Sequence, residues 1–242
     1  MEAIKATNLV KRYKDITAVN GLDLEIRRGE LFALLGVNGA GKTTAIKMFT
    51  CLTKPTEGDA LVGGYSIVKE PEQVKRRIGV SPQETAGAPN LTVEENLGLI
   101  CGIHGFSAEK TEKKIRELTG LLTLEPVLKR KAGKLSGGWQ RRVSIAMALI
   151  SEPEILFLDE PTLGLDVIAR HDLWELIRSL KGKMTIILTT HYMEEAEALS
   201  DRIGILKEGV LLAVGTAEEL KQKSGVNDFE TAFLTIVKEG RI

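Results

Sequence analysis

The sequence predicts an α/β fold with a largely parallel core sheet, and three observations lead there. Short runs such as LFALL, RIGV, ILFLD and TIILTT are apolar without polar alternation, as strands covered on both faces require. Stretches with helical spacing separate these runs, and strands alternating with helices build a parallel sheet. The first run, LFALL, passes directly into the glycine-rich GVNGAGKTT and then into the helical AIKMFTCL.

In chain order, residues 3–35 alternate short β-like runs with turns: AIKATNLVKRY, TAVNGLDLEIRRG and ELFALLG. Asn20-Gly21 reads as a hairpin signal, so this is an N-terminal antiparallel β subdomain leading into one buried strand. KPTEGDALVGGYSI reads as another hairpin, EPEQVKRR as a short helix and RIGVSPQ as a second core strand. Residues 84–150 change character. Pro89 and Thr92 introduce TVEENLGLICGI, Ala108 to Leu128 carry apolar residues at helical spacing, and LSGGWQRR opens the helix VSIAMALI. This stretch is an inserted helical subdomain. EILFLDE is the next strand, DVIARHDLWELIRSL a helix, MTIILTTH a strand and MEEAEALSDR a short acidic helix. IGILKEGVLLAVGTAEELK adds a hairpin and a helix. One domain thus spans 1–220, and residues 221–242 form a short tail.

Composition limits the partners. The 242 residues are 43% hydrophobic, which suits a globular core. Thirty-three basic side chains balance thirty-three acidic ones, so no overall field draws the chain to nucleic acid or anionic lipid, and no nucleic-acid partner is expected. Cys51 and Cys101 lack metal-type spacing and read as free thiols in a reducing compartment. No apolar run approaches the roughly 18 residues of a membrane span, and Met1 to Thr7 lacks the features of a signal peptide. The expectation is a cytoplasmic chain that serves any membrane process by docking onto another protein.

The chemistry begins at Gly36-Val-Asn-Gly-Ala-Gly41-Lys42-Thr43, which fits G-x4-G-K-[ST]. With glycine near 7% of average composition, a chance match in such a chain is on the order of one to two per cent. The loop joins a buried strand to a helix, where backbone N–H groups and the helix dipole cradle polyphosphate. Lys42 would reach the β and γ phosphates and the Thr43 hydroxyl would ligate magnesium. ILFLDEP ends a strand at Asp159-Glu160: Asp159 is placed to hold magnesium, and Glu160 to take a proton from an attacking water. His191 and Gln83 end two further strands on the side where open α/β sheets bind ligands. His191 is there either a loop or cap residue or a ligand contact, and the Gln83 amide either orients water or touches magnesium. Tyr13 is either a plain aromatic or a stacking partner for a base. Ser136 is a good N-cap, but Trp139 stands where a capping box needs Glu or Gln, so the first N–H groups of that helix are not all answered by the chain.

Taken together, GVNGAGKTT, SPQ, LSGGWQRR, ILFLDEP, LGLD and TTH, in this order over nearly the whole chain, resemble the nucleotide-binding subunits of ABC transporters. The resemblance implies the P-loop NTPase fold, with the antiparallel and inserted helical subdomains already read, and ATP and Mg2+ as cofactors. It implies that Tyr13 stacks on adenine and that Gly36, Asn38, Gly39, Ala40, Gly41, Lys42, Thr43 and Thr44 are the Walker A loop. Gln83 is similar to the Q-loop glutamine, Asp159 to the Walker B aspartate, Glu160 to the catalytic base and His191 to the switch histidine. Asp166 resembles the D-loop aspartate at a dimer interface. Ser136, Gly137 and Gly138 are similar to the signature that completes the ATP site of a second subunit packed head to tail, a homodimer partner or a paralogue. That implies an ATPase driving a transporter from the cytoplasmic face of the membrane, with transmembrane permease subunits on the helical lobe. PQETAGAPNLTVEENL and DFETAFLTIV resemble an exporter branch. A soluble relative acting on a ribosome, DNA or an assembly scaffold is the alternative, and a kinase has no use for LSGG, LGLD and TTH. Val37, Leu163 and Trp139 depart from the family pattern. Trp139 either packs under the signature or borders the nucleotide.

Overall fold

The computed structural model describes residues 1–84 and 87–240. Its centre is a sheet in the order β10-β9-β3-β8-β7-β6, built from β3 (Leu31–Leu35), β6 (Ile78–Ser81), β7 (Ile155–Asp159), β8 (Thr185–Thr190), β9 (Arg202–Lys207) and β10 (Val210–Gly215). Every neighbouring pair is parallel except the edge pair β9 and β10. All residues of β3, β7 and β8 are buried, as strands covered on both faces require, and the polar ones among them, Asp159 and the threonines of β8, lie at the strand ends. Leu35 is in register with Thr190, Asp159 with Thr189, and Ser81 with Leu158. The carboxyl ends of β3, β8, β7 and β6 therefore finish at one edge, and the segments beginning at Gly36, Glu160, His191 and Pro82 all start there.

The antiparallel sheet has the order β2-β1-β4-β5, from β1 (Glu2–Tyr13), β2 (Ile16–Arg27), β4 (Glu57–Val62) and β5 (Tyr65–Ser66). Helix α1 (Lys42–Phe49) joins it to the central sheet: Ile4, Leu22 and Ile26 share one core with Ile46, Phe49, Phe32 and Phe157. The expected hairpin at Asn20-Gly21 is not there. The chain turns at Lys14 and Asp15, and Asn20-Gly21 forms a bulge, two residues on β2 facing the single Val10 between the pairs Leu9 with Leu22 and Lys11 with Val19. Gly21 has φ +64°, so the left-handed preference of the dipeptide serves the bulge instead of a turn.

The stretch after Gln83 is helical: α3 (Val93–Ile103), α4 (Ala108–Leu122) and α5 (Gly137–Leu149) follow α2 (Pro71–Lys75) and β6. Thr92 and Glu95 close a capping box on α3, and Val93, Leu97, Leu118 and Leu122 pack with Val143 and Ala146 of α5. Helix α4 stops at Leu122, short of the expected Leu128, because Thr123 takes a left-handed φ of +52° and Pro126 follows in a single 3-10 turn. Residues 85–86 of the exporter-like PQETAGAP run lie outside the described residues.

Helix α6 (Val167–Leu180) precedes β8, and α7 (Met193–Leu199) follows it. The segment expected as a short tail carries more structure. Helix α8 (Ala217–Ser224) crosses residue 220, and α9 (Phe229–Glu239) buries Phe229, Phe233 and Ile236 against Ile203 and Ile205 of β9.

Candidate nucleotide site

The loop after β3 wraps the start of α1. Gly41 precedes that helix with φ +104°, and a Cβ there would stand 2.3 Å from the Ala18 carbonyl oxygen, so only glycine fits. Lys42 is buried, and its Nζ donates to the Gly36 and Val37 carbonyls at 2.8 and 3.2 Å. The departure Val37 points outward, 51% exposed.

Two carboxylates meet the loop from the end of β7. The Thr43 hydroxyl donates to Asp159 Oδ1 at 3.2 Å, and the Thr189 hydroxyl donates to the same oxygen at 2.5 Å. Glu160 lies 3.3 Å from Lys42 Nζ through Oε1 and 2.8 Å from His191 Nδ1 through Oε2. Both carboxylates are buried, so neither simply faces solvent at the strand end. Glu160 has φ +47°, a left-handed conformation that a non-glycine residue holds only when its surroundings fix it, and its N–H donates to the Thr189 hydroxyl at 3.0 Å.

Lys42, Thr43, Glu160 and His191 line a cavity of about 390 Å³ with Asn38, Gly39, Ala40, Gly41, Thr44, Gln83, Leu163 and Ala18. Gln83, Lys42, Thr43, Glu160 and His191, drawn from four strand ends, are thereby brought together. Other candidate residues lie apart. Tyr13 is 44% exposed at the end of β1, with Lys11 Nζ 4.9 Å from its ring centre. Asp166 caps α6, accepting from the Ala169 N–H at 2.9 Å.

Ser136, Gly137 and Gly138 open α5 away from this cavity. Ser136 occupies the cap position, yet its side chain makes no capping hydrogen bond. A Cβ on Gly137 would stand 3.2 Å from Leu165 and one on Gly138 3.1 Å from Ala169, so the glycine pair lets α5 start close against the segment leading into α6. Trp139 is half-buried against the helical core, with the Arg142 guanidinium 5.2 Å from its ring. The Gln140 amide, one position later, donates to the Leu135 and Ala132 carbonyls at 3.2 and 3.3 Å.

The model of the ABC transporter family matches residues 19–163, more than half of the chain. The chain belongs to the ABC transporter family. It is 44% identical over 211 residues to the doxorubicin resistance ATP-binding protein DrrA of Mycobacterium tuberculosis, covering 87% of this chain and 64% of that protein's length. It is 39% identical to the linearmycin resistance ATP-binding protein LnrL of Bacillus subtilis, over 97% of this chain and 78% of that protein. A solved dimeric ATP-binding cassette in a post-hydrolysis state, bound to ADP and Pi, superimposes with a TM-score of 0.79 at 31% identity, over 88% of this chain and 98% of that one.

Within this ABC chain, the sequence reading missed Arg141 and Thr189. Arg141 of α5 is buried and donates from Nη1 to the Pro82 carbonyl at 2.9 Å, tying α5 to the residue before Gln83. Burial pulls its guanidinium below the ordinary value, while Asp159 and Glu160 pull the other way. The Ser81 and Ser144 hydroxyls, 2.8 Å apart, make a second tie between β6 and α5. The signal for Arg141 is its spacing, three and four residues before Ser144 and Ile145 on one buried face of α5. Thr189 had a plainer one: a hydroxyl paired in register with Asp159.

Proposed function

We propose that this chain binds ATP with magnesium and hydrolyses it, as the energy-supplying subunit of a membrane transporter that moves its cargo outward. The convergence of Lys42, Glu160 and His191 in one cavity beside the phosphate loop carries this reading. Glu160 takes a proton as water oxygen bonds to the γ phosphorus, the bond from that phosphorus to the β–γ bridging oxygen breaks, and ADP leaves with its electron pair. His191, 2.8 Å from Glu160, holds that carboxylate in place, and Lys42 balances phosphate charge. Thr43, Asp159 and Gln83 offer hard oxygen donors of the kind magnesium takes, and Thr43 and Asp159 already approach to 3.2 Å. Magnesium, when bound there, supplies charge neutralisation for the transferred phosphoryl group.

The open N-terminus of α5 supports a role for Ser136, Gly137 and Gly138 on the γ phosphate held by a second ATP-binding subunit. The dimeric neighbour supports a second ATP-binding subunit; in the arrangement proposed, Asp166 would border the interface and Tyr13 would stack on adenine. Two relatives named for antibiotic resistance support export. Among the described residues no helix is long and apolar enough to cross a membrane, so permease subunits would supply the path and this chain would sit on their cytoplasmic side. Lys42→Ala tests the site: productive ATP binding is lost, and normal turnover would refute the assignment. Purification from detergent extracts tests the partner: an integral membrane protein accompanies the chain, and its consistent absence would sink the transporter reading.

A further inference from the structure

The helix that follows His191 carries a carboxylate that solvent does not reach. Glu195 of α7 is fully buried. Its Oε1 accepts from the Thr162 hydroxyl at 2.8 Å and from the Trp174 indole N–H at 3.0 Å, while Oε2 has no hydrogen-bond partner. A buried, half-satisfied carboxylate is costly, and two apolar residues of similar volume would pack at less cost. Its three attachments explain why a carboxylate stands there. Thr162 is two residues after Glu160, Trp174 lies on α6, and Glu195 is four residues after His191.

The segment between Glu160 and Asp166 is a pair of tight turns. The Leu163 N–H donates to the Glu160 carbonyl at 3.2 Å and the Leu165 N–H to the Thr162 carbonyl at 3.1 Å. Thr162 is fully buried in the middle of it, and its side chain donates to Glu195. Glu160 sits at the start with φ +47°, a conformation that relaxes unless neighbouring contacts hold it. Leu165, at the far end, packs on Gly137 at the head of α5. On the other side, the His191 and Tyr192 rings lie 4.1 Å apart and the Arg170 guanidinium of α6 covers Tyr192 at 4.7 Å, so α6 and α7 are already held together around this carboxylate.

We infer that Glu195 is a positioning residue for ATP hydrolysis: through Thr162 it fixes the turn from Glu160 to Asp166 against the helix of His191, and so sets Glu160 and His191 relative to each other. Among the described residues its side chain makes no hydrogen bond to either of them, and its effect passes through the Thr162 hydroxyl. The inference rests on the reading of Glu160 as the base.

Steady-state ATP hydrolysis, nucleotide binding and thermal melting of Thr162→Val, Glu195→Ala, Glu195→Gln and Glu160→Gln test it. Thr162→Val removes one hydroxyl at nearly constant volume and keeps the test open if Glu195→Ala does not fold. Thr162→Val and Glu195→Ala should each lower kcat about tenfold, the equivalent of one hydrogen bond, with KM for ATP within about twofold. Glu195→Gln keeps an acceptor for Thr162 and Trp174 and should stay within about twofold of the parent kcat. The double variant Thr162→Val with Glu195→Ala should be no slower than the slower single. Parental kcat in Thr162→Val overturns the inference, as does a multiplicative loss in the double variant. So does a loss in Glu195→Gln as large as in Glu195→Ala. If Glu160→Gln hydrolyses ATP normally, the reading of the base has failed; if Glu160→Gln is inactive and Thr162→Val normal, the Glu195 inference alone has failed.

Discussion

Gly41→Ala separates backbone geometry from mere conformational preference in the phosphate loop. Two costs arise there. Holding a Cβ-bearing residue at φ +104° costs about 1–2 kcal/mol. The new Cβ would also stand 2.3 Å from the Ala18 carbonyl oxygen, where an ordinary C···O contact is about 3.3 Å. Relief requires the loop to move away from β2 by about 1 Å, carrying Lys42 and Thr43 with it. A misplacement of that size costs on the order of a hundredfold in rate. Gly29→Ala is the control: its φ is +75° with open space around the added Cβ, at the opposite end of β3. It should lose about 1 kcal/mol of stability and keep its ATPase activity. Steady-state ATP hydrolysis, with melting curves to confirm folding, gives the comparison. A folded Gly41→Ala protein within about threefold of the parent kcat/KM would refute the reasoning.

Two further outcomes follow from the packing. Trp139→Gln should lower stability by about 1–2 kcal/mol, through lost apolar burial and the contact with Arg142, and leave KM for ATP unchanged; a raised KM would put the indole at the nucleotide. Burial pushes the Glu195 carboxyl above the ordinary glutamate value of 4.5, against the hydrogen bonds from Thr162 and Trp174 and the charge of Arg170. The native state therefore binds this proton more tightly than the unfolded chain does, and stability from this group falls as pH rises from about 4.5 to the raised value, then levels off. The stability of Glu195→Gln relative to the parent should thus rise across that window, measured by denaturant titration at several pH values; a flat difference would contradict the assigned shift.

The parallel sheet was legible because β3, β7 and β8 carry short apolar runs without polar alternation that lead into the residues of the site, and because a phosphate loop needs the strand before it and the helix after it. Asn20-Gly21 misled because a bulge and a hairpin ask the same φ > 0 of glycine, and only the pairing of β1 with β2 distinguishes them. Helix α4 ended early because Thr123 adopts a conformation that apolar spacing does not reveal. Arg141 and Glu195 were hidden for a different reason. A charged residue on an amphipathic helix reads as surface, and their burial arises from long-range partners: Pro82 lies 59 positions from Arg141, and Thr162 lies 33 from Glu195.

The central claim is that the carboxylate between Lys42 and His191 is the base that activates water. Single-turnover ATP hydrolysis by Glu160→Gln, read alongside nucleotide binding and size-exclusion chromatography, tests it most directly. The account predicts retained ATP binding, turnover reduced at least about a hundredfold, and an accumulated ATP-bound dimer. A Glu160→Gln protein that stays monomeric with ATP and hydrolyses it at the parent rate would contradict it.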